Sequence, residues 1–252
     1  GNVKKRISAA GKRIYTDFIE QVRDSNVIKR KDIGRLMLLQ PRHLREMNTA
    51  LAPYFRDVYE GGREQARREL FPSGEKKFAA EETPYSKFLD LLRDDTFKVV
   101  GDYSFHVIKK AKDIIVQGIK DGVAQSDIFA LAREVMDEES DKWISTVLQT
   151  KTTEFYNRSR KEYWDNDPLA SKIVSAFEWA SILDDRTSEI CEFLDGKIWE
   201  KGADIPAIPA HFNCRSQLIP ITIFEDYKPS PEVPIDELLE KGGSKGFLIP
   251  KL

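Results

Sequence analysis

Apolar residues recur at helical spacing through the first two thirds of the chain. Val3, Ile7, Ala10, Ile14, Phe18 and Val22 stand three or four residues apart and form one narrow stripe over about Val3 to Val27, the mark of a helix that packs on a partner helix. Pro41 suits the first turn of a second long helix, continued by Leu44, Met47, Leu51, Phe55 and Val58. Pro53 lies inside that pattern and predicts a kink or interruption, because proline removes an N–H and crowds the preceding turn. The Gly61-Gly62 pair leaves the course to Leu70 open.

Pro72, Ser73 and Gly74 read as a turn, the stretch to Glu82 as an exposed loop, and Thr83-Pro84 as a helix start. Phe88, Leu91, Leu92, Phe97, Val100, Phe105, Ile108, Ile115 and Ile119 then supply one or two buried helices that end at Asp121-Gly122. Ser126 is expected to cap a helix through Ile128, Leu131, Ala132 and Val135. A last helix is expected from near Ser140, past Trp143, Val147, Thr150 and Phe155, to about Trp164. After Asn166, Asp167 and Pro168 the period changes. Ile173, Ser175, Phe177, Trp179 and Ser181 alternate with Val174, Ala176, Glu178 and Ala180, which predicts a strand with one buried face. Asp195-Gly196 reads as a tight turn into a second strand through Ile198 and Trp199.

Past Pro220 the runs KPSPEVP and KGGSKG predict an extended tail, with one short docked turn at Leu238 and Leu239. The expected fold class is therefore α+β, mainly α. An elongated helical body fills 1–168, a small β-hairpin and knuckle module fills 169–224, and a Pro/Gly-rich tail fills 225–252.

Composition adds location and partners to this picture. Charged residues make up 33% of the chain, and no apolar run approaches the roughly 20 residues that span a bilayer. The N-terminus lacks a secretory h-region, so a cytosolic or particle-interior setting is expected. Lys4, Lys5, Arg6, Lys12, Arg13, Arg23, Lys29, Arg30, Lys31, Arg35, Arg42 and Arg45 outnumber the acids around them. Such an arm suits phosphate or an acidic protein surface, or serves as a solvated helical face.

Candidate chemistry gathers between Trp179 and Pro220, which holds both cysteines and one of three histidines. Cys191, His211 and Cys214 have zinc-ligand character, with Asp185, Glu189 or water as an oxygen ligand in the fourth position. The fourth cysteine of a full zinc pattern would fall at Ser188. A knuckle held by hydrogen bonds around two buried thiols is the competing expectation. Asp184 or Asp185 is expected to cap a helix opening at DDRTSEIC, with Arg186 bridging to a carboxylate. A catalytic role would pair His211 as general base with Asp185 or Asp195. With no Gly-rich phosphate loop and no serine elbow nearby, no enzyme is expected.

The run WASILDDRTSEICEFLDG, followed after a short gap by PAHFNCRS, resembles the C-terminal signature of the phage Mu F-like minor head proteins. The match is specific from about Gln149 to Pro220. It takes in Trp179, Asp185, Arg186, Thr187, Cys191, Asp195, Gly196, Pro209, His211, Asn213, Cys214 and Arg215, with Thr153, Glu154 and Asn157 on the upstream helix. Ser188 and Ser216 stand where that family often has cysteines, which favours a metal-free knuckle tied by Asp185, Arg186, His211 and Arg215. The resemblance implies a minor capsid protein of a tailed phage or prophage, in the virion at the head interior or portal vertex and in host cytoplasm during assembly. Its partners would be the portal protein, the major capsid protein or both. Lys4, Lys5, Arg6, Lys12, Arg13, Lys29, Arg30 and Lys31 would meet packaged double-stranded DNA through its phosphates, without sequence preference.

Overall fold

A computed structural model describes residues 2–24, 41–72, 109–111, 113–118 and 120–242. These fall into two compact units, one drawn from 1–54 and 84–145, the other from 55–83 and 146–252. Helix α1 spans Asn2–Asp24, α2 Pro41–Leu70 and α3 Gln125–Asn166; short helical pieces lie within 109–120. A four-residue α4, Ala170–Ile173, leads into strand β1, Val174–Ala180. Helix α5 (Glu189–Leu194), strands β2 (Ile198–Glu200) and β3 (Gln217–Thr222), and α6 (Ile235–Gly242) follow. The fold is mainly α with a small antiparallel sheet of three strands, in the order β2-β1-β3. The end of the first helix expected near Val27, the elements expected from Ser73 to Ile108, and Ile119 lie outside the described residues.

In the first unit, Ile7, Ala10, Ile14 and Ile19 of α1 are buried, as the stripe predicts. Tyr15 donates to Asp137 on α3, Ser8 donates to Asp141, and Lys12 pairs with Asp137 at 2.9 Å. Gly122 has φ 69° in the turn before α3, where a side chain would be strained.

Three helical expectations are corrected. Pro53 does not interrupt α2, which runs unbroken to Leu70; the proline lies on the exposed face, where water can serve the carbonyl it leaves unpaired. Two helices separated near Ser140 are one helix of 42 residues. No glycine or proline stands between its ends, and Ser140 is fully buried within it. Nor does Ser126 cap this helix: the N–H groups of Asp127 and Ile128 both donate to the Ala124 carbonyl, one turn earlier.

In the second unit, α2 meets α3 at close quarters. Phe55 stacks on Phe155 with ring centroids 4.8 Å apart, Tyr59 donates to Glu162, and a Cβ on Gly62 would stand 2.1 Å from Ser159 Oγ. Arg160, 1% exposed, donates to both oxygens of Glu69 at 2.7 and 2.8 Å and lies over the Trp164 ring. Ion pairs this dry hold only when both partners stay.

Asn166 ends α3. The Asp167 carboxylate then accepts from the N–H groups of Leu169 and Ala170 and starts α4, an element the sequence reading lacks. Strand β1 carries a bulge: Val174 faces Thr222 and Ala176 faces Ile221, so Ser175 is the extra residue. That slip explains why Val174 and Ala176 are buried and then Phe177 and Trp179, an alternation that changes phase once.

Gly196, φ 73°, turns the chain into β2 as expected. Strand β3 is new relative to the expected hairpin, and the docked turn at Leu238 is a full helix, α6. The extended tail before it covers the outer edge of β2: Ser230 N–H donates to the Ile198 carbonyl, and Ile198 N–H to Ser230 Oγ, both at 2.9 Å. The core of this unit gathers Trp164, Phe177, Trp179, Trp199, Leu194, Ile205, Ile208, Leu218 and both cysteines.

Candidate functional site

The site is a knuckle formed by the start of α5 and the loop 205–216, seated on one face of α3. Ser188 stops the approach to α5 with extended backbone and accepts from Cys191 N–H as its N-cap. The helix cap is thus Ser188 and neither Asp184 nor Asp185, while Asp184 accepts a backbone N–H as expected, that of Arg186 at 3.0 Å in the preceding turn. Serine directly before a turn that carries Glu189 and Glu192 was the available signal. Capping fixes Cys191 facing inward, 3% exposed.

From the other side comes the loop 205–216, buried from Ile205 through His211, with a cis peptide at Ile208-Pro209. Asn213 adopts φ 59°, a left-handed conformation that asparagine tolerates better than most residues. The resulting reversal sends Cys214, fully buried, back toward Cys191. The two sulfurs lie 3.8 Å apart, and His211 Nε2 lies 3.0 Å from Cys191 Sγ. All three are buried, and their ligand atoms lie within 4.8 Å of one another.

His211 is held by its other nitrogen. Nδ1 stands 2.7 Å from the Phe212 carbonyl, which only accepts, so Nδ1 carries the proton and Nε2 presents its lone pair. Ser188 Oγ is 2.6 Å from that Nε2 and donates to it, while Ser216 Oγ donates to Cys191 Sγ at 3.3 Å. The contact with Cys191, and then burial, hold the Cys214 thiol well above its ordinary range.

Helix α3 grips this knuckle through Thr146, Thr150, Thr153 and Asn157. Thr153 Oγ1 donates to the Cys214 carbonyl at 2.8 Å. Asn157 donates through Nδ2 to the Ser216 carbonyl and accepts from Leu218 N–H at Oδ1. Asn213 N–H donates to Thr150 Oγ1 at 2.9 Å, and its side-chain amide reaches Thr146 Oγ1 at 3.4 Å. Glu154 does not join them; it pairs with Lys151 on its own helix.

The turn before α5 is tied separately. Arg215 donates in a fork to both oxygens of Asp184, with Nη1 to Oδ2 at 2.7 Å. That guanidinium is the main reason the Asp184 carboxyl titrates far below its usual range. Thr187 Oγ1 donates to the Ile182 carbonyl and accepts from Asp184 N–H. Here the ion-pair role expected of Asp185 belongs to Asp184. Asp185 is exposed and stands outside the cysteine–histidine cluster, and Arg186 lies 3.6 Å from Asp184.

Asp195 accepts from Ser181 N–H at 2.6 Å, and Ser181 Oγ donates onward to the Cys191 carbonyl. Trp179 Nε1 donates to that same Ser181, beneath a core contact with Trp199. The side chain of His211 thus meets a serine, a cysteine and a backbone carbonyl, and among the described residues neither Asp185 nor Asp195 is hydrogen-bonded to it. Of the basic residues, Lys4, Lys5, Arg6, Lys12 and Arg13 are exposed on α1, where Lys12 pairs with Asp137 and Arg13 with Glu46. Lys29, Arg30 and Lys31 lie outside the described residues.

No curated protein and no solved structure shows a significant match to the chain. A family model described as Phage Mu protein F like protein matches residues 109–219, a span that holds α3, β1, α5, β2 and every knuckle residue above. Over residues 109–219, a little under half of its length, the chain is similar to the phage Mu protein F-like family.

Proposed function

We propose that this chain is a phage head morphogenesis protein, a minor capsid component that docks on the portal protein or the inner face of the head and supports assembly or genome delivery there. In this role the knuckle is a rigid mount and carries no reaction. The observation behind this is how the side chains of the knuckle and its supports are used. Thr153, Asn157, Asp184, Ser188, Asp195, His211 and Arg215 are engaged with one another or with backbone groups that fix the loop, leaving no base and carboxylate aimed together at substrate.

A surface for docking lies on the other side of the sheet's edge strand. A groove of about 810 Å³ runs between β2 and the tail, with Trp199, Ile205 and Leu238 as apolar lining and Glu200, Asp204, Glu232 and Asp236 as charged lining. No lysine or arginine lines it, so it suits a cationic, partly apolar segment of the head or portal protein. DNA is a second partner, favoured by Lys4, Lys5 and Arg6 exposed on α1. No helix among the described residues is long and apolar enough to cross a membrane.

Co-purification with the portal and major capsid proteins of the same phage tests both partners. Retention after nuclease treatment, lost in the exposed double variant Glu232→Lys/Asp236→Lys, is the expected result for protein docking. Retention that nuclease abolishes would replace protein docking with DNA bridging. No retention under either condition would refute both.

A further inference from the structure

We propose that Cys191, His211 and Cys214 bind one zinc ion, with a fourth position bordered by the hydroxyls of Ser188 and Ser216. Three buried donors from two separate segments converge within 4.8 Å. The sulfur–sulfur distance of 3.8 Å equals the edge, about 3.8 Å, of a tetrahedron built on zinc–sulfur bonds of about 2.3 Å. The histidine nitrogen stands 3.0 Å from one of these sulfurs, so the three donors border a common centre.

The histidine tautomer points the same way. A backbone carbonyl holds the Nδ1 proton, which is the arrangement that orients a zinc-binding imidazole. Nε2 is thereby left as a donor of electrons toward the two sulfurs. Charge balance also fits a buried site. Two thiols lose their protons to solvent on binding, and two thiolates with one neutral imidazole cancel the charge of Zn²⁺, so the closed site is neutral.

Two thiolates and an imidazole select zinc over calcium or magnesium, which take oxygen ligands. Before metal enters, the Ser188 and Ser216 hydroxyls satisfy Nε2 and Cys191 Sγ. On binding they turn to a water in the fourth position, or Ser188 Oγ takes that position itself. Ser188 and Ser216 thus leave a three-residue site with an exchangeable vertex. This assignment holds whichever head component the chain docks on.

The test uses the full chain purified without chelator. Elemental analysis should give one zinc per chain, and loading the chain with Co²⁺ after its zinc has been stripped should release two protons and give the intense near-ultraviolet band of cobalt–thiolate bonds. Cys214→Ser should lose much of that band. Because that variant risks misfolding, Ser188→Cys provides the second arm: a fourth thiolate should tighten zinc, in chelator competition, by roughly tenfold or more, the scale on which changes beside a metal are felt. Absence of zinc and of a cobalt–thiolate band in the parent chain, or Ser188→Cys leaving zinc affinity unchanged, would overturn the assignment.

Discussion

Asn157 satisfies two backbone groups of the knuckle at once, the Ser216 carbonyl and the Leu218 N–H, while Thr153 serves one, the Cys214 carbonyl. Both side chains are buried, at 5% and 8% exposure, so water does not replace them when they are removed. Asn157→Leu should therefore destabilise more than Thr153→Val. Each buried backbone group left unpaired costs about 1–3 kcal/mol. Denaturant unfolding of the two variants measures the order; equal and negligible losses would mean that the loop is held by packing alone.

This polar stripe was only half legible in the sequence. Thr146, Thr150, Thr153 and Asn157 follow helical spacing on one face of α3, but threonine on a helix reads equally well as a solvated surface. Only the position of a loop more than fifty residues away turns that face inward. Asp184 and Asp185 are likewise adjacent and chemically identical. Sequence alone has no means to decide which of them meets Arg215, since that depends on the turn made by Thr187.

Elements declared themselves where their period was strong. The stripe of α1, the start of α2 at Pro41 and the alternation in β1 all follow from the apolar pattern. Misjudgements came where local rules compete with packing. Pro53 is tolerated on an exposed face, Ser140 is buried inside a continuous helix, and β3 is broken in pattern by Pro220.

The Gly61-Gly62 pair, which looked like a weak point in α2, has two different roles. A side chain at Gly61 meets nothing within 4 Å, whereas one at Gly62 meets Ser159 Oγ and, at 2.8 Å, the Tyr156 carbonyl. Gly61→Ala should stabilise by about 0.5–1 kcal/mol through helix propensity. Gly62→Ala should destabilise by about 1–3 kcal/mol, because α2 and α3 must separate to admit the methyl group. Opposite signs in thermal melts are the check; stabilisation by both would mean that α2 does not approach α3 so closely.

On the scale of the whole molecule, the second unit is organised less by its helices than by the order in which its sheet is assembled. β1 is central, β3 flanks it on one side through a bulged register, and β2 flanks it on the other. Since β2 is only three residues long, its outer edge is closed by the chain itself, at Ser230. An edge strand with open N–H and C=O groups recruits strands from other molecules. Recruitment of that kind grows with the concentration of the chain. The Ser230 strap is thus an insulator against self-templating, as well as one wall of the groove. A chain ending at Tyr227 should keep β1 and β3 but gain concentration-dependent association, seen in light scattering, that Ser230→Pro in the 252-residue chain reproduces in part. A truncated chain that stays monomeric at every concentration would assign the strap to the groove alone.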